Sequence, residues 1–497
     1  ILENSKPNAQ LLMESWVEAL SEQFDLAPVT IGHKAVTTPP SRATLDALAS
    51  CDFVLVGTGD CGSCLAWTVR SALALEKRGV PTVCVGSDAF RHQFEVEAEN
   101  CGMPDLRFVY VTHPLGGIRE AAGREGTCEH RQRRCRARRA GGVSCMTAAP
   151  QERAVARFEA PADPSDLSRE AYRRGWTDGL PVIAPTPGCV DTMIAASGRD
   201  ALDALAVLAP RRGIATVEAV AVNAVMAGCE PRHMPVLCAA VEATGTEAFN
   251  LAAVNATTHP VALLILVSEP AARAADIHAG SGAFGPGFAA NICIGRALRL
   301  VQFNIAGARP GDGDMATLGS PAKLAYCFAE RTDVSPFGAY HDTLGLEAGA
   351  HAVTVFPAEC PINIQDHSSS NAEDLMRTIA GSMGYAGNNN IVAPHKGRPV
   401  LVLGIEHARV IADSGWSRRD VQQFVVDHAR FDASRLGPEF IDAIRPLRKP
   451  LPNRLPIALD PEQVQVLVAG GPGKHSMFIP TFAGTREATI SWQGGRP

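Results

Sequence analysis

No apolar run in this sequence reaches the roughly 18–20 residues that a membrane-spanning helix needs. The longest, Val261–Val267, has the length of a buried strand, so no membrane partner is expected. An excess of basic charge is missing too: 46 Lys and Arg stand against 52 Asp and Glu, a formal net charge of −6, with an isoelectric point near 6.2. That balance argues against nucleic acid and leaves a small molecule or a protein as the expected partner. A second C-x-x-C and any H-x-x-x-H pair are absent, so a four-ligand zinc site has no framework and no metal is expected. Fourteen cysteines lie irregularly over 497 residues. They suit a reducing cytoplasm and free, buried thiols better than a disulfide scaffold. The first residue is not Met, and Ile1-Leu2-Glu3-Asn4-Ser5-Lys6-Pro7 reads as a strand's tail entering a loop, so a first strand lacking its start is expected.

What is present is a chain with 46% hydrophobic residues, enough for two or three domains with their own cores. Leu11, Leu12, Trp16, Val17 and Leu20 recur at helical spacing, and Val29-Thr30-Ile31 is a short β-branched run. The pattern then predicts a helix at Ala43–Ala49, a strand at Phe53–Val56, a turn at Cys61-Gly62-Ser63-Cys64, and a helix to Lys77. A strand at Thr82–Val85, a helix at Phe90–Glu99 and a strand at Phe108–Val111 follow. Such alternation makes a parallel, doubly wound sheet, whose ligands sit beyond the carboxyl ends of the strands. There the Asn4-Ser5-Lys6 loop, the CGSC turn and the loop beginning at His113 are expected to gather. From Asp166 onward, helix-like pieces (Val217–Met226, Met234–Glu242) alternate with strand-like ones (Ala262–Val267, Val400–Leu403, Val464–Val468) between Gly-, Asn- and Pro-rich turns. The fold class is therefore α/β, a doubly wound domain over residues 1–126 followed by a larger α+β domain over 166–497.

The junction, 127–165, has a different texture. Six of the nine residues from Arg131 to Arg139 are arginine. A basic arm, an ordinary linker and a GC-rich coding sequence read out of frame all give that composition. One codon choice for Thr127–Arg139, shifted by a single nucleotide, spells a plausible last helix for the first domain, which makes Met146 a candidate start of a second, fused polypeptide.

A C-x-x-C needs only a tight turn to bring two sulfurs together, and a helix N-terminus stabilises a thiolate, lowering its pKa from about 8.5. The CGSC turn, with Asp60 before it, therefore suits a nucleophile or a redox pair; two small core residues are the bland alternative. Cys61 is the expected attacking thiolate and Cys64 the resolving thiol. His113 is placed as proton donor and Lys6 as electrostatic support, with Asn4, Ser5, Gly62 and Ser63 beside the substrate.

These residues resemble a known family. The stretches ENSKPNAQLL (Glu3–Leu12), DFVLVGTGDCGSC (Asp52–Cys64), LEKRGVPTVCV (Leu75–Val85) and HPLGG (His113–Gly117) are similar to UGSC-type selenoproteins, which carry selenocysteine or cysteine at the place of Cys61. More distantly the layout resembles the selenoprotein B component of glycine, sarcosine and betaine reductases, where a selenocysteine attacks substrate carbon. The larger region, with TDGLPVIAPT (Thr177–Thr186), TVEAVAVNAVMAGC (Thr216–Cys229) and NICIGRALRL (Asn291–Leu300), looks like the partner domain of such proteins. The resemblance implies a cysteine form with the same chemistry at a lower rate. The arginine-rich run departs from the family pattern.

In the larger region Asn223, Cys229, Asn255 and His259 are candidates to line a pocket, His259 as an acid–base group. The glycine-rich Gly280–Gly287 opens toward a helix at Ala289–Leu298 whose amides suit an anion, with Arg296 at hand. Glu359, Cys360, Asp366 and His367 offer metal-type ligands at no established spacing. Gly470–Ser476 lacks the spacing of a nucleotide loop and reads as a turn. Together these features lead us to expect a cytoplasmic thiol-dependent oxidoreductase, with an external thiol or dithiol as reductant, a reductase partner and a homo-oligomeric state. A single-nucleophile transferase or lyase is the second expectation and a non-catalytic thiol carrier the third.

Overall fold

The structure, a computed structural model, describes residues 1–5, 8–34, 39–60, 62–112, 157–347, 349–392, 397–445 and 451–493. Among these no helix is long and apolar enough to cross a membrane. The chain divides into two compact units. One holds the described residues up to Thr112 with Asn255–His259 and Ala308–Thr317; the other begins at Arg157 and holds the rest. The arginine-rich run and the candidate joint around it, 127–145, lie outside the described residues.

In the first unit β1 (Leu2–Glu3), α1 (Ala9–Ser21), β2 (Gly32–His33), α2 (Arg42–Leu48), β3 (Val54–Gly59), α3 (Gly62–Glu76), β4 (Thr82–Ser87), α4 (Arg91–Asn100) and β5 (Arg107–Val111) alternate as the pattern predicts. The five strands are parallel, in the order β2-β1-β3-β4-β5. Burial on both faces explains why β3, VLVGTG, is buried at every position. Leu12 and Met13 of α1 pack with Leu55, Val85 and Val111 in one core. At roughly 1.5–3 kcal/mol per buried large apolar side chain, this cluster is a main source of the unit's stability.

One boundary differs from the pattern. The glycines of Gly57-Thr58-Gly59 read as the end of a strand, yet β3 runs through them. A Cβ on Gly59 or on Gly86 would come within 2.0 Å of the Phe94 ring, and one on Gly57 within 2.9 Å of Val85 Cβ. The strand keeps its glycines because α4 and β4 approach too closely for side chains.

The second unit contains two four-stranded mixed sheets. One orders Cys327–Ala329, Ala262–Val267, His351–Ala358 and Ala488–Trp492; the other orders Ile362–Gln365, His475–Ile479, Val400–Leu403 and Gln465–Val468. Leu264, Leu266, Phe328 and Phe356 of the first meet Val400, Val402, Leu467 and Ile479 of the second in a shared core. Helices Ala372–Met383, Ile405–Asp413 and Arg418–His428 cover the second sheet with another core around Leu375, Ile411, Val425 and Phe478. The helix Met234–Gly245 packs on the first.

Candidate active site

The strand order sets where the first unit's site lies. From β1 the chain passes to β2 on one side, and β3 then pairs on the other side of β1. The order reverses between β1 and β3, and the crevice beyond their carboxyl ends is the place where such sheets bind ligands. Asn4 and Ser5 leave β1 there. Asp60, fully buried, leaves β3, and α3 begins at Gly62.

Asn4 ties the two edges together: its Nδ2 donates to Thr58 O at 2.7 Å within a buried setting. Asn4 Oδ1 and Thr58 Oγ1 are buried with no hydrogen-bond partner among the described residues. Ser5 takes a positive φ of 56° and donates from its main chain to Glu3 Oε2 at 2.5 Å and from Oγ to Lys34 O at 3.1 Å. Glu3 Oε1 also meets His33 Nδ1 at 2.5 Å. Lys34 follows β2, and only 5% of it is exposed. Burial lowers its pKa to about 8, an effect Glu3 opposes. Glu3, His33 and Lys34 thus put ionisable groups at the carboxyl edge, and sequence reasoning missed all three. The β-branched run before His33 was the available signal: a strand there needs an end, and in a parallel sheet that end faces the crevice.

Cys64 lies in the first turn of α3, fully buried, and its sulfur is disulfide-bonded. The other nine described cysteines, at 51, 84, 101, 189, 229, 238, 293, 327 and 360, are free. Cys61, Lys6 and His113 lie outside the described residues. Gly62 and Ser63 form the opening of α3.

Of the candidates in the larger region, Asn255 and His259 group with the first unit, whereas Asn223, Cys229 and Arg296 belong to the second. Asn255 O accepts Met315 N and Thr258 O accepts Thr317 N, both at 2.9 Å, joining the two segments that the larger region lends to the first unit. Asn223 is engaged by Asn304 Nδ2 at 2.7 Å and donates to Ala219 O. Cys229 is buried, and burial, with the neighbouring Cys293 thiol adding to it, raises its pKa well above the usual thiol value. Arg296 does not stand free at the glycine-rich loop. Its Nε and Nη2 grip Asp178 at 2.8 and 2.9 Å, and Nη2 also reaches Pro181 O, so the guanidinium clamps the 178–181 turn. Asp366 is likewise spent: Ser368 N, Ser369 N, Ser369 Oγ and Thr378 Oγ1 all donate to it. Among the described residues no group of three or more His, Cys, Asp or Glu is arranged to hold a metal ion. The His367 ring packs edge-on to His475 at 5.1 Å, which brings the 366–367 pair beside the Gly470–Ser476 turn.

Residues 1–130 match the model of the UGSC family. No curated protein matches the chain.

Proposed function

We propose, from the match of residues 1–130 to the UGSC family model, that the chain is a thiol-dependent oxidoreductase acting on a small molecule through Cys61 and Cys64. The Cys61 thiolate displaces a leaving group X from a substrate R–X, forming Cys61–S–R and releasing X⁻. The Cys64 thiolate then attacks the Cys61 sulfur, and R leaves with the bonding pair and takes a proton as R–H. Two electrons pass from the thiols to the substrate, and an external thiol or dithiol restores the Cys61–Cys64 disulfide to its reduced form. If the substrate is itself a disulfide, the intermediate is a mixed disulfide and the balance is the same. Asn4 and Ser5 border the substrate, and Lys34 supplies positive charge at the carboxyl edge of the same sheet, two strands from β3, which favours thiolate. His113 delivers the proton, with Lys6 and Asp60 completing the surroundings of the turn.

The observation that carries this reading is the disulfide at Cys64, in the first turn of a helix at the strand-order reversal, in a chain whose other described cysteines are free. Support comes from the match of residues 1–130, a range that includes this stretch, to the UGSC family model.

The test is mass spectrometry of the full chain after incubation, reduced, with a metabolite extract. Cys64→Ser should accumulate a stable adduct on Cys61 and stop after one turnover, because the displacing thiol is gone. Cys61→Ser should carry no adduct. If Cys64→Ser turns over at the parent rate without added thiol, the dithiol mechanism fails and a single-nucleophile transferase or lyase is the better reading. If the parent forms adducts but never turns over, the chain is a carrier.

A further inference from the structure

We propose that Glu3 and His33 form a proton-transferring pair for the first unit's site, with His33 as the acid that protonates the group displaced by Cys61 and Glu3 as the residue that positions it. The inference rests on the thiol reading above and narrows its substrate to one whose leaving group is basic enough to need a proton. It begins in the register. His33 on β2 and Gly57 on β3 are both paired with Glu3 on β1, so the three stand in a row across the strands at the order reversal.

The Glu3 carboxylate lies beyond the strand ends. Its Oε2 accepts Ser5 N at 2.5 Å, in the loop after β1, and its Oε1 accepts His33 Nδ1 at 2.5 Å, so the ring is held against that loop at the carboxyl edge. Ser5 Oγ donates to Lys34 O, which ties the residue after β2 to the same loop. The Glu3 side chain is 5% exposed and that of His33 is 60% exposed. A buried carboxylate thus grips one nitrogen of an imidazole that is otherwise open. Because an ionised carboxylate only accepts, the proton on Nδ1 stays in place and Nε2 is the nitrogen that exchanges. Nε2 has no partner among the described residues. The other charged group facing Glu3 is Lys34, which is buried.

The spacing suits an acid that works at the far end of the bond being broken. Neighbouring strands lie about 4.8 Å apart, so β2 and β3 are separated laterally by roughly 10 Å. A reacting atom about 3–3.5 Å from the thiolate, its bond to the leaving group, and a hydrogen bond of about 3 Å to the ring fill an interval of that order. In the first step a sulfur pair of Cys61 forms the bond to R, the R–X pair departs with X, and the proton on His33 Nε2 passes to X. Imidazolium becomes imidazole, H–X leaves, and solvent returns the proton. General acids of this kind are worth about 10²–10⁴-fold.

Two disulfides with different leaving thiols test this on the reduced full chain at about pH 6.5, where imidazoles exchange protons. Dithiobis(nitrobenzoate) releases an acidic thiol that departs unaided as thiolate, whereas bis(hydroxyethyl) disulfide releases a basic one that gains from a proton. The rate at Cys61 is read for each by acid quench, alkylation and peptide mass spectrometry. His33→Gln can still donate to Glu3 but is no acid. It should lower the hydroxyethyl rate relative to the nitrobenzoate rate about tenfold or more, and Glu3→Gln should move the ratio in the same direction. A ratio that stays at the parent value in either variant, with both rates falling together, would mean that the pair only holds the loop and would overturn the proposal. If Cys61 of the parent reacts with neither disulfide, the thiol reading falls and this inference with it; reaction in the parent with an unmoved ratio in the variants overturns this inference alone.

Discussion

A thiol reacts as its thiolate, so burial decides which cysteines in this chain compete with Cys61. Cys84, Cys229 and Cys327 are buried deeply enough that their thiols are pushed far up, and Cys238 is pushed to about 12. Those four are poor nucleophiles at neutral pH, whereas Cys189 is exposed. After reduction, brief iodoacetamide treatment at about pH 6.5 should therefore label Cys61 well ahead of Cys189, with the four buried thiols last, as read by peptide mass spectrometry. Uniform labelling would count against an activated thiolate. Lys34 offers a second test at this scale. Its folded pKa, about 8, lies below the usual 10.5, so between those values the unfolded chain binds more protons than the folded one. Stability must then rise with pH across that window, by at most about 3 kcal/mol. Urea unfolding of the parent relative to Lys34→Met should show the parent gaining from about pH 8 to pH 10; a constant difference would mean that Lys34 titrates normally.

At the scale of elements, the contact that shapes the site edge is the seat of Phe94. Its ring occupies the space that side chains on Gly59 and Gly86 would need, which lets α4 lie close to β3 and β4 just behind the turn. Gly86→Ala should cost roughly 1–3 kcal/mol by overpacking, and Phe94→Leu in the same chain should recover part of that loss. Additive effects in urea unfolding would show that the clash is relieved elsewhere. The same contact explains what the sequence could and could not disclose. The βα alternation and the parallel sheet followed from apolar periodicity, because each depends on neighbours in the chain, whereas the helix α3 starts at Gly62, inside the stretch read as a turn. Gly57-Thr58-Gly59 read as a strand end because the cause of its glycines, Phe94 and Val85, comes from other elements. Buried Glu3 and Lys34 were unreadable for a like reason: an ionisable residue looks solvated until pairing buries it. Arg296 shows the converse, since a cation beside a glycine-rich helix start looked available until Asp178, distant in sequence, claimed it.

At the scale of the whole molecule, the two units pose the question of where the chain can be separated. Periodicity foresaw an α/β part and a larger mixed part but not the two sheets of the second unit, whose registers pair strands as distant as Ala262–Val267 with His351–Ala358 and His351–Ala358 with Ala488–Trp492. Nor did it foresee that Asn255–His259 and Ala308–Thr317 would group with the first unit. In the sequence between Thr112 and Arg157 lies a run in which six of the nine residues from Arg131 to Arg139 are arginine, an uncommon density of trypsin sites. Its composition has almost no apolar residues with which to form a core, so it has little to resist a protease that needs an extended, accessible backbone. Limited trypsin digestion should therefore cut first between Arg131 and Arg153, leaving two resistant fragments whose ends mass spectrometry can assign. The arginines and lysines of the helices and sheets, held by cores such as that around Leu375 and Phe478, should be cut far more slowly. A chain that survives intact under the same conditions would mean that the arginine-rich run is itself packed, and the boundary between a thiol-bearing unit and its larger partner would have to be drawn elsewhere.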